Sequence, residues 1–312
     1  MTTSSESAPI REALVLLGVL AALVAAFSLT TERFLTAATL QTIANQVPEL
    51  VIAAVGLTFV LVVGGIDLSV GSVMALGSVS LGLGLARLGL GVAPAAALAL
   101  IAGLAAGTLN GFLTVRLGLP SFIVTLGTLE MARGLTYLLT RSQTLYLGEP
   151  VERLAAPLAF GLSAPFLAAV ALVAAAQLVL SRTVFGRYAT ALGTNEEAVR
   201  LAGIDPAPIK LAVFAFAGLM ASVAGIVDTA RLGTADPNAG IGFELQAIAA
   251  VVVGGTSLLG GRASVVGSFL GVLVIAVLGS GLAQAGAQEP TKRLVTGAVI
   301  VAAVAADRLR RG

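Results

Sequence analysis

FGRYATALGTNEEAVRLAGI, residues 185–204, is the one strongly polar island in a chain that is otherwise almost continuously apolar. The island reads as a short helix with defined ends. Thr194 stands where a helix cap belongs, and Glu197 three residues on completes a capping box. Glu196 and Glu197 lie where the helix dipole favours negative charge, and Glu196 can pair with Arg200 one turn later. Gly203 is placed to end the helix in a left-handed conformation, and Asp205-Pro206 prevents continuation. A helix this short is marginal alone in water and needs a docking surface. Held between two apolar runs, it has the form of a handle that another molecule grips.

The rest of the chain fixes the setting of that handle. Of 312 residues, 57% are hydrophobic and 11% charged, with a mean hydropathy of +1.01. This composition belongs to an all-α integral membrane protein. The pI of 9.4 rests on a net charge of only +2, which gives no argument for a nucleic-acid partner. Cysteine and histidine are both absent, excluding disulfides, thiolate catalysis, imidazole acid–base chemistry and the usual zinc and haem ligands. Neither Lys210 nor Lys292 stands in a phosphate-binding GxxxxGK[ST] loop. No carboxylate cage, arginine row or nucleophile–base constellation is visible. Any energy source for transport therefore lies elsewhere.

Apolar runs predict about ten spans, near 13–30, 48–66, 68–86, 88–115, 118–140, 161–181, 211–227, 245–259, 263–284 and 294–306. The last is short and needs its flanks. The first is read as a span, not a signal peptide, because no convincing small-residue cleavage site follows it. Residues 1–12 and 308–312 are then short tails around a single transmembrane domain, 13–307, with a cytoplasmic loop at 182–210. With the amino terminus inside, inner segments carry ten Lys and Arg residues (11, 116, 182, 187, 200, 210, 262, 308, 310 and 311) and outer segments seven (33, 87, 141, 153, 231, 292 and 293). That bias places the island and both termini in the cytoplasm. The segments 31–46 and 141–153 read as polar loops.

LVVGGIDLSVGS (61–72) and VVVGGTSLLGGR (251–262) match at six of twelve positions. Paired Gly-interrupted segments in two halves of a transporter point to a pathway or binding region, although Val and Gly are frequent enough here for chance to be the other reading. The candidate solute pathway is thus Gly64, Gly65, Asp67, Ser69, Asn110, Thr125, Gly254, Gly255, Thr256 and Ser257. Asp67 has two compatible roles, a pathway position and a cap for the helix starting near Leu68 with Ser69 assisting. Glu130 and Arg133, like Asp228 and Arg231, are three apart and read as self-neutralising pairs rather than a proton relay. Gly103, Gly107 and Gly111 form a small-residue stripe that lets another helix approach, with Asn110 able to bond across it. Gly267 and Gly271 repeat the spacing once.

GGIDLSVGS (64–72), NGFLTVRLGLPSFIVTLGTLEMARGL (110–135), the island, and AVVVGGTSLLGGRASVVGSFLGVLVI (250–275) together resemble the membrane subunits of bacterial ABC importers for ribose, xylose, arabinose and related sugars. The resemblance runs from about Phe34 to the end. Branched-chain amino-acid permeases resemble it more distantly, their counterpart of the Gly64 block usually lacking the GGIDLS wording. The resemblance implies a ten-span permease in the cell inner membrane, acting as a second-copy dimer on a cytoplasmic ATPase, often one chain with two nucleotide-binding domains. A binding protein outside delivers the sugar, and loops at 235–242 and 141–153 would receive it. No cofactor is implied for the permease itself; ATP belongs to the partner. The island becomes the coupling helix: Gly193 and Gly203 set its ends, Asn195 and Glu196 face the ATPase, and Arg187 and Arg200 add polar contacts, with Thr194, Glu197 and Ile204 completing the element. The alternatives are an ion-coupled transporter built on Asp67, a channel-like protein, or a related importer for autoinducer-2, a nucleoside or a branched-chain amino acid.

Overall fold

The computed structural model describes residues 7–31, 34–158 and 160–309. The tails expected at 1–12 and 308–312 fall partly outside these residues, and Arg33, Arg310 and Arg311 wholly so. Within them the chain is mainly helical: α1 (Ser7–Thr30), α2 (Ala37–Gln46), α3 (Pro48–Val62), α4 (Val70–Ala86), α5 (Val92–Arg116), α6 (Ser121–Thr140), α7 (Glu149–Glu152), α8 (Ala164–Arg182), α9 (Val184–Thr194), α10 (Glu196–Leu201), α11 (Ala207–Leu232), α12 (Phe243–Val253), α13 (Val265–Gln284) and α14 (Glu289–Leu309). The β structure among them includes one antiparallel pairing of β1 (Leu145–Tyr146) with β2 (Thr234–Ala235), in the register Leu145 opposite Ala235.

Every predicted apolar run carries a helix, but they are not equal. Among the described residues six helices are long and apolar enough to cross a membrane, or seven if α2 and α3, bent by 44° at their junction, make one span. α4 and α12 are apolar but shorter. The segment expected as a loop at 31–46 contains α2, started by Thr36, whose hydroxyl accepts from the Thr39 amide. Its polarity misled the sequence reading. Gln41 and Asn45 donate to the carbonyls of Phe160 and Gly161, so its polar side is used inside the fold.

α3 is the axis of the molecule. Every one of its 15 residues is buried, as a helix apolar on all sides requires. Around it pack α11, α12, α13 and α8. The glycine stripe of α5 meets α11 as anticipated: a Cβ at Gly107 would lie 2.9 Å from the Gly218 Cα, and one at Gly111 3.1 Å from the Leu211 Cα. Gly271 of α13 approaches α12 in the same way, 2.9 Å from the Gly254 nitrogen. Large apolar side chains such as Ile101, Phe112, Ile123, Met131 and Leu138 stand exposed on the outer faces of α5 and α6.

Candidate functional site

The polar island folds as two helices, not one. α9 is started by Thr183, whose hydroxyl accepts from the Gly186 amide, and Phe185 in its first turn packs against Phe59 of α3. α9 runs through Thr194, so the Thr194 hydroxyl turns back to the Thr190 carbonyl at 2.9 Å and is not the cap. Asn195, extended at φ −159°, takes that role and accepts from the Ala198 amide at 3.0 Å. The Thr194–Glu197 capping box is therefore replaced by a single Asn cap. The other end forms as read: Gly203 has φ +80°, its amide reaches the Arg200 carbonyl, and the Ile204 amide reaches that of Val199. Asp205 then accepts from the Ala207 amide to begin α11.

Glu196 holds this loop to α11. Its carboxylate meets Arg200 at 3.2 Å and Lys210, a partner the sequence reading missed, at 2.5 Å. Partial burial pushes the Glu196 carboxyl up, but the bond and charge of Lys210, with Arg200, outweigh it and hold the group below the ordinary glutamate range. Arg187 is exposed.

Gly193 lies inside α9 and ends nothing, contrary to the reading that made it a helix terminus. Its value is its missing side chain. A Cβ there would strike the Val62 carbonyl and the Gly261 amide nitrogen, which are themselves hydrogen-bonded at 2.9 Å. A Cβ at Gly260 would lie 2.9 Å from the Gly193 Cα and 3.0 Å from the Gly64 Cα. Four glycines thus bring together the island, the end of α3 and the connection from α12 to α13.

Those two helix ends are built alike. Gly64 (φ +76°) and Gly65 return their amides to Leu61 and Val60; Gly255 (φ +89°) and Thr256 return theirs to Val252 and Val251. The repeat is real, with its register moved by one residue: Gly64 corresponds to Gly255, not Gly254. Thr256 and Ser257 are buried and brace the connection, the Thr256 hydroxyl accepting from the Ser264 amide and the Ser257 hydroxyl from that of Leu259.

The extended stretch between α3 and α4 leaves backbone groups with no helical partner, a costly state away from water. α6 supplies the partners. Ser121 accepts from the Ile66 amide, and Thr125 accepts from the Leu68 amide and donates to the Ile66 carbonyl. Asp67 does not cap a helix at Leu68, because α4 begins at Val70; one carboxylate oxygen instead accepts from both the amide and the hydroxyl of Ser69. Asn110 donates to the Ser69 hydroxyl at 3.0 Å and accepts from Thr128 at 2.5 Å. It joins α4, α5 and α6, rather than bonding across to α11. Asp67, Ser69, Asn110 and Thr125 are all fully buried in this network. Gly64, Gly65 and Ser121, by contrast, line a cavity of about 810 Å³ whose other wall includes Glu196, Arg200 and Lys210.

The two charge pairs differ. Arg133 makes no ion pair with Glu130; its guanidinium donates to the carbonyls of Pro237 and Ala239. Arg231 does meet Asp228 at 2.9 Å, and also Glu49 at 2.9 Å, a second acid that its distance in sequence concealed. Among the described residues no group of three His, Cys, Asp or Glu could hold a metal.

Broken helices thus surround a buried axis, with a capped loop seated on both breaks. A family described as "Branched-chain amino acid transport system / permease component" matches residues 39–304. The chain belongs to this permease family. Among the permease's relatives, the ribose import permease protein RbsC of Escherichia coli (strain K12) is 38% identical, over 93% of this chain and 91% of that protein. RbsC of Bacillus subtilis is 37% identical over 82% of this chain and 80% of its own, and the D-allose permease AlsC of E. coli 37% over 93% and 90%. No solved structure matches.

Proposed function

We propose that this permease is the membrane subunit of an ATP-driven ABC importer that carries a simple sugar, a ribose-like pentose first, into a bacterial cell. The observation that carries the reading is the similarity to ribose permeases along nearly the whole chain. The sugar-type GGIDLS block at residues 64–69 weighs the same way against the amino-acid wording of the family description. The chain is a transport subunit in the inner membrane, and hydrolysis is done by a separate cytoplasmic ATPase with two nucleotide-binding domains. A sugar-binding protein docks outside and a second copy completes the pathway. Ten spans in one domain at 13–307 place both termini, and the loop at 182–210, in the cytoplasm.

In this reading α10 is gripped by the ATPase. Glu196 and Lys210 carry its displacement into α11, and the Gly193 contact carries it to both glycine breaks, which move as a pair because Gly261 is bonded to Val62. The network of Asp67, Ser69, Asn110 and Thr125 keeps the first break extended, while Gly254 to Ser257 shape the second. Solute passes on the side of Gly64 and Gly65, where the cavity lies. A neutral solute suits this permease, since Asp67 is spent on Ser69 and leaves little for ion coupling.

The test is ATP hydrolysis by the permease reconstituted with its cognate ATPase and candidate binding proteins, across a panel of sugars. Stimulation by ribose-loaded binding protein supports the assignment. Stimulation by allose, fructose or autoinducer-2, solutes named for relatives, would reassign the substrate within the same mechanism. Failure of the folded permease to associate with any ATPase would refute it.

A further inference from the structure

Glu130 is the tenth of the 20 residues of α6, a helix long and apolar enough to cross a membrane, and about 14 Å of helix separates it from either end. It is exposed, and no hydrogen bond or ion pair joins it to another described residue. α6 packs on α4 and α5 and buries Val124, Thr125, Thr128, Ala132, Thr136 and Thr140. At about 100° per residue, Glu130 stands on the opposite side. Its neighbours on that face are the exposed Ile123 and Leu126, and Gly127 and Gly134, where an added Cβ would meet nothing within 4 Å. A carboxylate facing hydrocarbon at this depth is costly, and its short side chain reaches neither membrane surface, so it faces protein or water. Ile123, Leu126 and the two glycines make an apolar surface, unsuited to water. Protein is left, and a partner that reaches mid-membrane is itself embedded there.

Arg133, one turn on, is the complement. Its Nη1 donates to the Pro237 and Ala239 carbonyls, while its Nε and Nη2 have no hydrogen-bond partner among the described residues. Within one chain this guanidinium and the Glu130 carboxylate do not pair. A twofold axis sets residue i of one copy against residue j of the other, and j against i. An acid and a base one turn apart on one helix are therefore self-complementary: two copies packed through this face make two equal pairs that neither makes alone. Gly127 and Gly134, seven residues apart and on either side of the acid, let two helix backbones approach closely there.

We propose that the face of α6 carrying Ile123, Leu126, Gly127, Glu130 and Gly134 is the contact between two copies of this chain, and that each Glu130 pairs there with Arg133 of the partner subunit. The inference deepens the reading above, which calls for a second copy, by naming the surface through which that copy binds. Opposite charges account for the carboxylate at mid-membrane, the open glycines account for close approach, and Ile123 and Leu126 supply the apolar area around them.

The chain has no cysteine, so single-cysteine variants of the whole permease are free of background. Ile123→Cys and Leu126→Cys leave Glu130, Arg133 and both glycines intact. Leu135→Cys is the control, also exposed but about 140° round α6 from Glu130. The variants are reconstituted in liposomes and oxidised, and disulfide-linked dimers are read on a gel. Ile123→Cys or Leu126→Cys should link and Leu135→Cys should not. A permease that stays monomeric in liposomes, or a dimer that links through Leu135→Cys alone or through none of the three, overturns the inference. The ion pair is tested by measuring association of labelled copies at a series of protein-to-lipid ratios. Glu130→Leu should raise the dissociation constant at least about tenfold. Arg133→Met should do the same, and the two together should weaken association no more than either alone. A Glu130→Leu permease that associates as tightly as the parent, as a lipid-facing residue would allow, overturns the pairing; so do fully additive losses. These measurements use the permease alone, without ATPase or sugar, so their failure is distinguishable from failure of the importer assignment.

Discussion

Gly193→Ala isolates the contact between the island and the two glycine breaks. In an unconstrained helix interior, Gly to Ala gains up to about 1 kcal/mol. Here the new methyl group is driven into the Val62 carbonyl and the Gly261 amide nitrogen. Relieving that overlap costs about 1–3 kcal/mol as overpacking. Opening the Gly261–Val62 hydrogen bond would leave a buried carbonyl unpaired, for about 1–3 kcal/mol more. The net expectation is a loss of about 1–5 kcal/mol, concentrated where α9, α3 and the α12–α13 connection meet. Gly203→Ala is the comparison: nothing lies within 4 Å of its added Cβ, so only the left-handed backbone at φ +80° is penalised, by about 1–2 kcal/mol. Thermal unfolding in detergent reads the stability of each variant, and ATP hydrolysis with and without loaded binding protein reads coupling. Gly193→Ala should lower the unfolding temperature more than Gly203→Ala and lose most of the stimulation by binding protein. A Gly193→Ala permease as stable and as well coupled as the parent would refute the idea that this contact transmits motion.

Arg231→Met leaves Glu49 and Asp228 buried without their shared cation and should cost about 3–5 kcal/mol in thermal unfolding, with partial recovery when Glu49→Gln is added. Asn110→Ala removes the acceptor of the buried Thr128 hydroxyl and the donor to Ser69, a loss of about 1–3 kcal/mol by the same measurement. Glu196 has a folded pKa below its unfolded value, so its contacts stabilise the loop above the ordinary glutamate range near about 4.3 and that contribution vanishes as pH falls through the depressed folded value. Hydrogen exchange of residues 195–204 should accordingly be faster in Glu196→Gln than in the parent at neutral pH, and the two should converge in acid.

Much of the site was legible because its signals are local. Gly203 and Asp205-Pro206 specify a helix end whatever surrounds them, and the Glu196–Arg200 pair is fixed by one helical turn. The Gly103–Gly107–Gly111 stripe announced a close helix contact for the same reason, though not that α11 would fill it. The cap at Asn195 was misplaced by one residue because Thr194 and Asn195 are both capable caps; the choice depends on how far α9 continues. α2 was lost because its polar residues look solvated until the carbonyls of Phe160 and Gly161 are found beside them.

The sequence by itself determined that this is a helical membrane protein, that it carries a capped polar handle, and that it repeats a glycine-broken apolar segment. Those follow from composition and from interactions spanning a few residues. Only the tertiary structure decided that Gly193 is a contact and not a terminus, that Asp67 and Asn110 both bond to Ser69, that Arg231 serves two acids, and that Arg133 bonds to the carbonyls of Pro237 and Ala239. Each depends on which distant backbone or charge arrives within a few ångströms, and a side chain's burial and partners are set by that arrival, not by its own chemistry.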